Sequence, residues 1–226
     1  MSGKRHSENF RPGRVPGHSD GRLYSPSYER NHQPVIAALQ ARLGSQTGAA
    51  LEVGSGVGQH IQSFARDMPH LRWHASEPDA IHRDSIDAWS AHAKSGLPPA
   101  MALDASRDFS ADIVGLTPLR LIFSMNVIHI APFQVAQSII ATAARMLIPG
   151  GWLSFYGPFS QGGRHTGEGN ASFDAGLRAD NPAWGLRDVD ELAALAREVA
   201  LSGPQLDVMP ANNRIVWFQQ PGPASA

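Results

Sequence analysis

The chain has 226 residues, 42% of them hydrophobic and 17% charged, and its formal net charge is −1 at pH 7. That length and apolar content suit one sizeable α/β domain, and the near-neutral balance gives none of the broad positive field that nucleic-acid binders use. The absence of cysteine excludes disulfides, thiolate metal sites and cysteine nucleophiles, and no segment approaches the ~20 apolar residues of a membrane-spanning helix.

Residues 1–25 are basic, rich in Gly and Pro and without periodicity. They read either as a mobile tail or as a lid that orders over bound ligand. Met1–Gly21 lacks the apolar stretch of a signal peptide, so a soluble, cytoplasmic protein is expected. The domain itself is expected over 26–220. From Asn31 to Leu43, Val35, Ile36, Leu39 and Leu43 recur at helical spacing, with Pro34 in the first turn and Gly44 and Gly48 as breakers. Ala49–Val53 predicts a short buried strand, followed by glycines and a helix from about Gly58 to Met68. A second strand (Leu71–Ser76), a helix (Asp79–Lys94), a third strand (Pro98–Leu103) and a fourth (Leu119–Ser124) follow. The helix Phe133–Leu147 stops at Pro149-Gly150-Gly151, ahead of a fifth strand, Trp152–Tyr156. The polar, Gly-rich stretch from Gly157 to Gly185 is too long for an ordinary connection and reads as a functional insertion, with 158–185 on the substrate side. A helix with an acidic first turn (Asp188–Ala200) precedes two strands, Gln205–Met209 and Arg214–Gln219, close enough for a hairpin. Five strand–helix alternations predict an α/β, doubly wound, Rossmann-like sheet, mostly parallel with one antiparallel C-terminal strand.

The most informative segment is Leu51-Glu52-Val53-Gly54-Ser55-Gly56-Val57-Gly58-Gln59. It follows a strand and opens a helix, where glycines permit a tight turn and close approach of backbone N–H groups to a ligand. A dinucleotide fingerprint would need glycine at position 59, which is Gln59 here. An acid, Glu52, instead precedes the first glycine and suits an ammonium group. The spacing therefore favours S-adenosyl-L-methionine (SAM) over NAD, with Gly54, Ser55 and Gly56 in the cradle. Glu77, 19 residues after Gly58, ends the second strand, where an acid can accept from both ribose hydroxyls. Asp104 ends the third strand and can accept from an adenine amino group, or can simply cap its own turn.

Five ordered segments carry a closer resemblance: Glu29-Arg30-Asn31, Met125–Pro132, Tyr156-Gly157-Pro158-Phe159, Asn181–Asp188 and Met209–Asn213. From about Ser25 to Phe218 the chain resembles the domain-of-unknown-function 938 family, which includes methyltransferase-like protein 26. The resemblance implies a class I SAM-dependent methyltransferase fold. It implies methyl transfer to O, N or S of a small molecule, aromatic or heterocyclic acceptors included. A non-catalytic SAM-binding module and an RNA or protein methyltransferase are the alternatives, and a homodimer stays open. This chain departs from the family at His165-Thr166-Gly167-Glu168-Gly169-Asn170, where hydroxyl residues are expected.

Three of these segments converge at the carboxyl ends of the strands. His129 is the expected general base, or a histidine bonded only to backbone. Tyr156 can orient an acceptor or pack as a strand-end aromatic. Asn126 is placed beside the methionine half of SAM or the acceptor; Arg30 and Asn31 reach for its carboxylate or stay on the surface. His165, Phe173 and Asn212 are expected at the acceptor pocket, Asn212 with a turn role as the alternative. The ten histidines follow no metal-ligand spacing, so no required metal is expected.

Overall fold

The computed structural model describes residues 17–222. In chain order the elements are α1 (Tyr28–Leu43), β1 (Gly48–Val53), α2 (Gln59–Asp67), β2 (Leu71–Ser76), α3 (Ala80–Ala93), β3 (Leu119–Met125) and α4 (Phe133–Met146). There follow β4 (Leu147–Gln161), β5 (Arg164–His165), α5 (Asn170–Asp180), β6 (Arg187–Asp188), α6 (Val189–Glu198), β7 (Ser202–Val208) and β8 (Asn213–Gln219). The sheet order is β2-β1-β3-β4-β8-β7, with β5 and β6 attached to the far end of β4. β1, β2, β3 and β4 pair in parallel, whereas β8 runs antiparallel to both β4 and β7. The turn from β7 into β8 thus stands at the same end as the carboxyl termini of the parallel strands.

Both faces are covered, which is why the central strands read as continuous apolar runs. Alternate residues divide between the faces. Leu51, Val53, Ile122, Leu153 and Phe155 pack with α4 and α6, through Ile139, Ile140, Val189 and Leu192. Ala50, Leu121, Phe123, Trp152 and Trp217 pack with α1, α2 and α3, through Val35, Leu39, Phe64 and Ile86. Among the described residues no helix is long and apolar enough to cross a membrane.

Two expectations change, and a third segment gains a place. Pro98–Leu103 is no strand: it contributes one isolated parallel bridge, Met101 to Ser76. Pro98 and Pro99 have no N–H to give a ladder, so pairing is confined to the N–H of Met101 onto Ala75 O and of Glu77 onto Met101 O, both at 2.9 Å. The stretch after Tyr156 is folded. β4 continues to Gln161, receives β5 and β6, and is followed by α5. Residues 17–25, part of the stretch read as a mobile tail or a lid, lie against α3 and α2. Leu23 N–H donates to Ser85 Oγ at 2.9 Å, Trp89 Nε1–H donates to Leu23 O at 2.9 Å, and Arg22 covers the Trp89 ring. Residues 1–16, the rest of that expected tail, lie outside the described residues.

Candidate active site

Where β1, β2 and β3 end, the chain leaves a cleft of about 400 Å³. Its walls come from the glycine loop, from Glu77-Pro78-Asp79, from Met125-Asn126-Val127 and from Ser25 and Ser27. Each glycine of the loop has its own reason. Gly54 has φ +76°, and a Cβ there would stand 2.5 Å from Val127 Cγ2, so the β3 loop can close down only on glycine. Gly58, at φ +95°, lets α3 approach, since its Cβ would lie 2.8 Å from Ile86 Cα. Gly56 faces open space. The N–H groups of Gly54 and Ser55 both donate to Ser76 O, at 3.0 and 2.9 Å, which fixes the loop over the end of β2.

The acids of the cleft are unlike one another. Glu52 is 2% exposed and its Oε2 makes no hydrogen bond within the protein. Burial pushes its carboxyl up to about 8; a hydrogen bond from Ser55 opposes this and the charge of Glu77 adds to it. Glu77 is also buried, but it is satisfied. Its Oε2 accepts from Gly56 N–H at 2.9 Å, its Oε1 accepts from Asp79 N–H at 3.3 Å, and His82 Nδ1 stands 3.8 Å away. Hydrogen bonding to Glu77 raises His82 above its ordinary value, against the effect of burial. His60, also in the wall, is pushed down to about 4 by burial, with a smaller contribution from His32. The Nε2 atoms of His60 and His82 are without protein partners.

Of the residues singled out from sequence, Glu52, Gly54, Ser55, Gly56, Glu77 and Asn126 line the cleft. Asn126 holds φ +58° and donates its N–H to Tyr156 O at 2.9 Å. His129 stands just behind it, buried: a Cβ on Gly157 would lie 3.3 Å from His129 Nδ1 and 3.4 Å from Asn126 Oδ1. Phe173 meets the His129 ring edge-on at 5.9 Å, and Gly185 N–H donates to His129 O at 2.9 Å. Phe173 and Gly185 thus bring the 158–185 segment against His129, one layer behind the cleft. Tyr156 is 2% exposed within the apolar layer under α1; burial pushes its phenol up to about 12, with Arg30 and Asn213 pulling the other way. Arg30 is exposed and donates to Pro26 O at 3.1 Å, and Asn31 is buried; neither contributes to the wall of the cleft. Asp104 is exposed, accepts from Ser106 N–H at 2.9 Å and also stands outside the wall, so it has the turn-capping geometry. His165 is exposed beside Asp174 at 3.4 Å, and Asn212 donates to Glu168 O at 2.8 Å, tying the β7–β8 turn to the segment before α5.

Several residues were not singled out from sequence. Arg187, 8% exposed, donates to Ile128 O at 2.8 Å, to Ala183 O at 2.9 Å and to Ala131 O, clamping the loop that carries Asn126 and His129. Its presence in the Asn181–Asp188 motif was the available signal. His60 and His82 had none, since only the fold brings them to Glu52 and Glu77. Ser25 and Ser27 reach the cleft because Ser25 N–H is held by Gln59 Oε1 at 2.5 Å.

Residues 22–220 match the model of a family described as a protein of unknown function, DUF938. The chain belongs to that family. Among solved structures it is similar to an O-methyltransferase family protein from Burkholderia thailandensis. The TM-score is 0.71 at 16% identity, over 84% of this chain and 56% of that one. Human N-acetylserotonin methyltransferase in complex with SAM gives 0.66 at 12% identity, over 86% and 52%. A putative O-methyltransferase from Nostoc punctiforme gives 0.65 at 15% identity, over 83% and 57%. The DUF938 chain spans a little over half the length of these proteins, and what it shares with them is the class I methyltransferase fold.

Proposed function

We propose that this DUF938 protein is a SAM-dependent methyltransferase that acts on O, N or S of a small molecule. One observation carries the reading: a buried carboxyl, Glu52, leaves an oxygen without a partner in the glycine-loop cleft, where a cationic ligand group completes it. The cleft's residues fit the rest of such a ligand. Glu77 keeps one carboxylate, ordered by Gly56 and Asp79 N–H, in position to accept from ribose hydroxyls. Gly56 leaves room for the ligand against the loop. When bound, the cofactor supplies a methyl group on a sulfonium, already activated toward a nucleophile. The chain's own task is then alignment and water exclusion. Asn126 is poised to orient the acceptor, and His129, held behind it at Gly157 and against Phe173, to take up its proton. The likeness to methyltransferase-like protein 26 rests on the sequence motifs, and the small-molecule class is supported by the O-methyltransferases that share the fold.

Differential scanning fluorimetry tests the cofactor. SAM and its demethylated product S-adenosylhomocysteine raise Tm by binding the folded state alone, and NAD does not. Stabilisation by NAD with no response to SAM overturns the assignment. A SAM-binding module without turnover is the second reading, favoured by one fact: neither His129 nor Tyr156 stands in the wall of the cleft. Under that reading His129→Ala leaves both binding and a methyl-acceptor screen unchanged.

A further inference from the structure

A second cavity, of about 390 Å³, lies between α2, the start of α1 and the end of α3, and shares one lining residue, Gln59, with the glycine-loop cleft. Gln59, Gln62, Ser63 and Arg66 recur at the spacing of one helix face, so α2 supplies a continuous wall. Most polar groups of that wall are already paired. Ser63 Oγ and Tyr28 Oη bond to each other at 2.5 Å, Ser95 Oγ and Ser90 Oγ at 3.2 Å, and Gln59 Oε1 accepts from Ser25 N–H at 2.5 Å. Gln62 is the exception. It is 7% exposed, and neither its Oε1 nor its Nε2 has a partner in the protein. A buried amide without hydrogen bonds costs stability that an apolar side chain of the same size does not, so packing alone gives no reason for it.

An amide offers a donor and an acceptor in one plane, and the last torsion of a glutamine is soft. The group can therefore meet an edge that carries a donor and an acceptor side by side, in either order. Nucleobases have such edges. Trp89 lines the same cavity as a fixed surface for a flat ring: its Nε1–H donates to Leu23 O at 2.9 Å, and Arg22 lies 4.7 Å over its ring. Two cations stand in the wall. Asp67 occupies the Arg66 guanidinium through bonds of 2.6 and 2.8 Å, and Lys94 is exposed. We propose that this cavity is a second ligand site, which takes a nucleoside monophosphate. Gln62 reads the base edge, Trp89 flanks the base and Lys94 meets the phosphate. The volume falls within the range of small-molecule sites, and the site does not depend on the SAM reading of the cleft.

The probes are uridine and cytidine 5′-monophosphate (UMP and CMP). Their bases present donor and acceptor in opposite order, and neither carries the adenine of SAM. In isothermal calorimetry on the full chain both bind. Uridine, without the phosphate, and ribose 5-phosphate, without the base, bind about tenfold more weakly or worse. Gln62→Met keeps the volume and removes both polar atoms; it weakens UMP about tenfold and leaves ribose 5-phosphate within about twofold. Lys94→Gln, an exposed change that spares the core, weakens UMP about tenfold and leaves uridine within about twofold. Glu77→Ala, which alters the other cleft, leaves UMP affinity as it is. Failure of wild type to bind either nucleotide overturns the proposal, as does UMP affinity unchanged in Gln62→Met. UMP affinity lowered in Glu77→Ala puts the nucleotide in the cofactor cleft and overturns it too, whereas failure to bind SAM touches only the cofactor reading.

Discussion

In the ligand-free protein, burial holds the Glu52 carboxyl up to about 8, so at pH 7 it is about 90% protonated. An ammonium group placed beside it favours the carboxylate, and binding of SAM or S-adenosylhomocysteine therefore expels about 0.9 proton at pH 7. Ionising the group at that pH costs about 1.4 kcal/mol, so affinity climbs close to tenfold between pH 6 and pH 7. It levels near pH 8, where the ligand's own amine begins to deprotonate. Calorimetry at pH 7 in buffers of small and large ionisation enthalpy reads the proton directly. Glu52→Gln removes the titration while keeping the shape, so its enthalpies agree between buffers and the affinity gap to wild type widens from pH 6 to pH 8. The ligand-free proteins give a matching sign. A carboxyl raised from its ordinary 4.5 makes the folded state bind the extra proton, so wild type loses stability relative to Glu52→Gln as pH rises from about 4.5 to about 8. Buffer-independent enthalpies in a wild type that binds S-adenosylhomocysteine would refute the reasoning, because Glu52 would then be ionised already or out of reach of the ammonium.

Glu77→Ala removes a carboxylate that accepts from Gly56 N–H and that we propose accepts from the ribose; S-adenosylhomocysteine affinity falls by about 2–3 kcal/mol in calorimetry, and unchanged affinity takes Glu77 out of the site. Gly54→Ala adds to the strain of a positive φ a methyl 2.5 Å from Val127, costing about 2–4 kcal/mol in urea unfolding. Gly56→Ala meets no atom within 4 Å and costs only the backbone part, about 1–2 kcal/mol, while its methyl intrudes on the cleft and weakens cofactor binding; equal stability losses for the two contradict the division of roles. Arg187→Ala strands the carbonyls of Ile128, Ala131 and Ala183; about 3 kcal/mol is lost, or roughly 6–12 °C in Tm at this chain length, and a melt within 2 °C of wild type, well under that estimate, shows that the clamp is not needed.

Local features of the chain determined the strands β1 to β4, the helices between them and the glycine loop. Apolar runs, helical spacing and the offset of Gly54, Gly56 and Gly58 are all properties of neighbouring residues. The same features named Glu52, Glu77 and Asn126, because a residue that ends a parallel strand has to face the ligand end of the sheet. What depended on distant partners was not legible. Pro98–Leu103 has the composition of a strand, yet its two prolines leave a single bridge to β2. Gly157–Gly185 has the composition of a loop, yet β4 runs on into it because β5 and β6 come back to pair with its extension. Asp104 and Glu52 looked alike as strand-end acids. The tertiary structure separates them: Asp104 turns to its own Ser106 N–H at the surface, whereas Glu52 is enclosed and its proton retained. His60 and His82 looked like scattered histidines until the fold set them in one cleft with Glu52 and Glu77. Burial and the facing partner decide whether a polar side chain is satisfied, and both are set by residues far away in the chain.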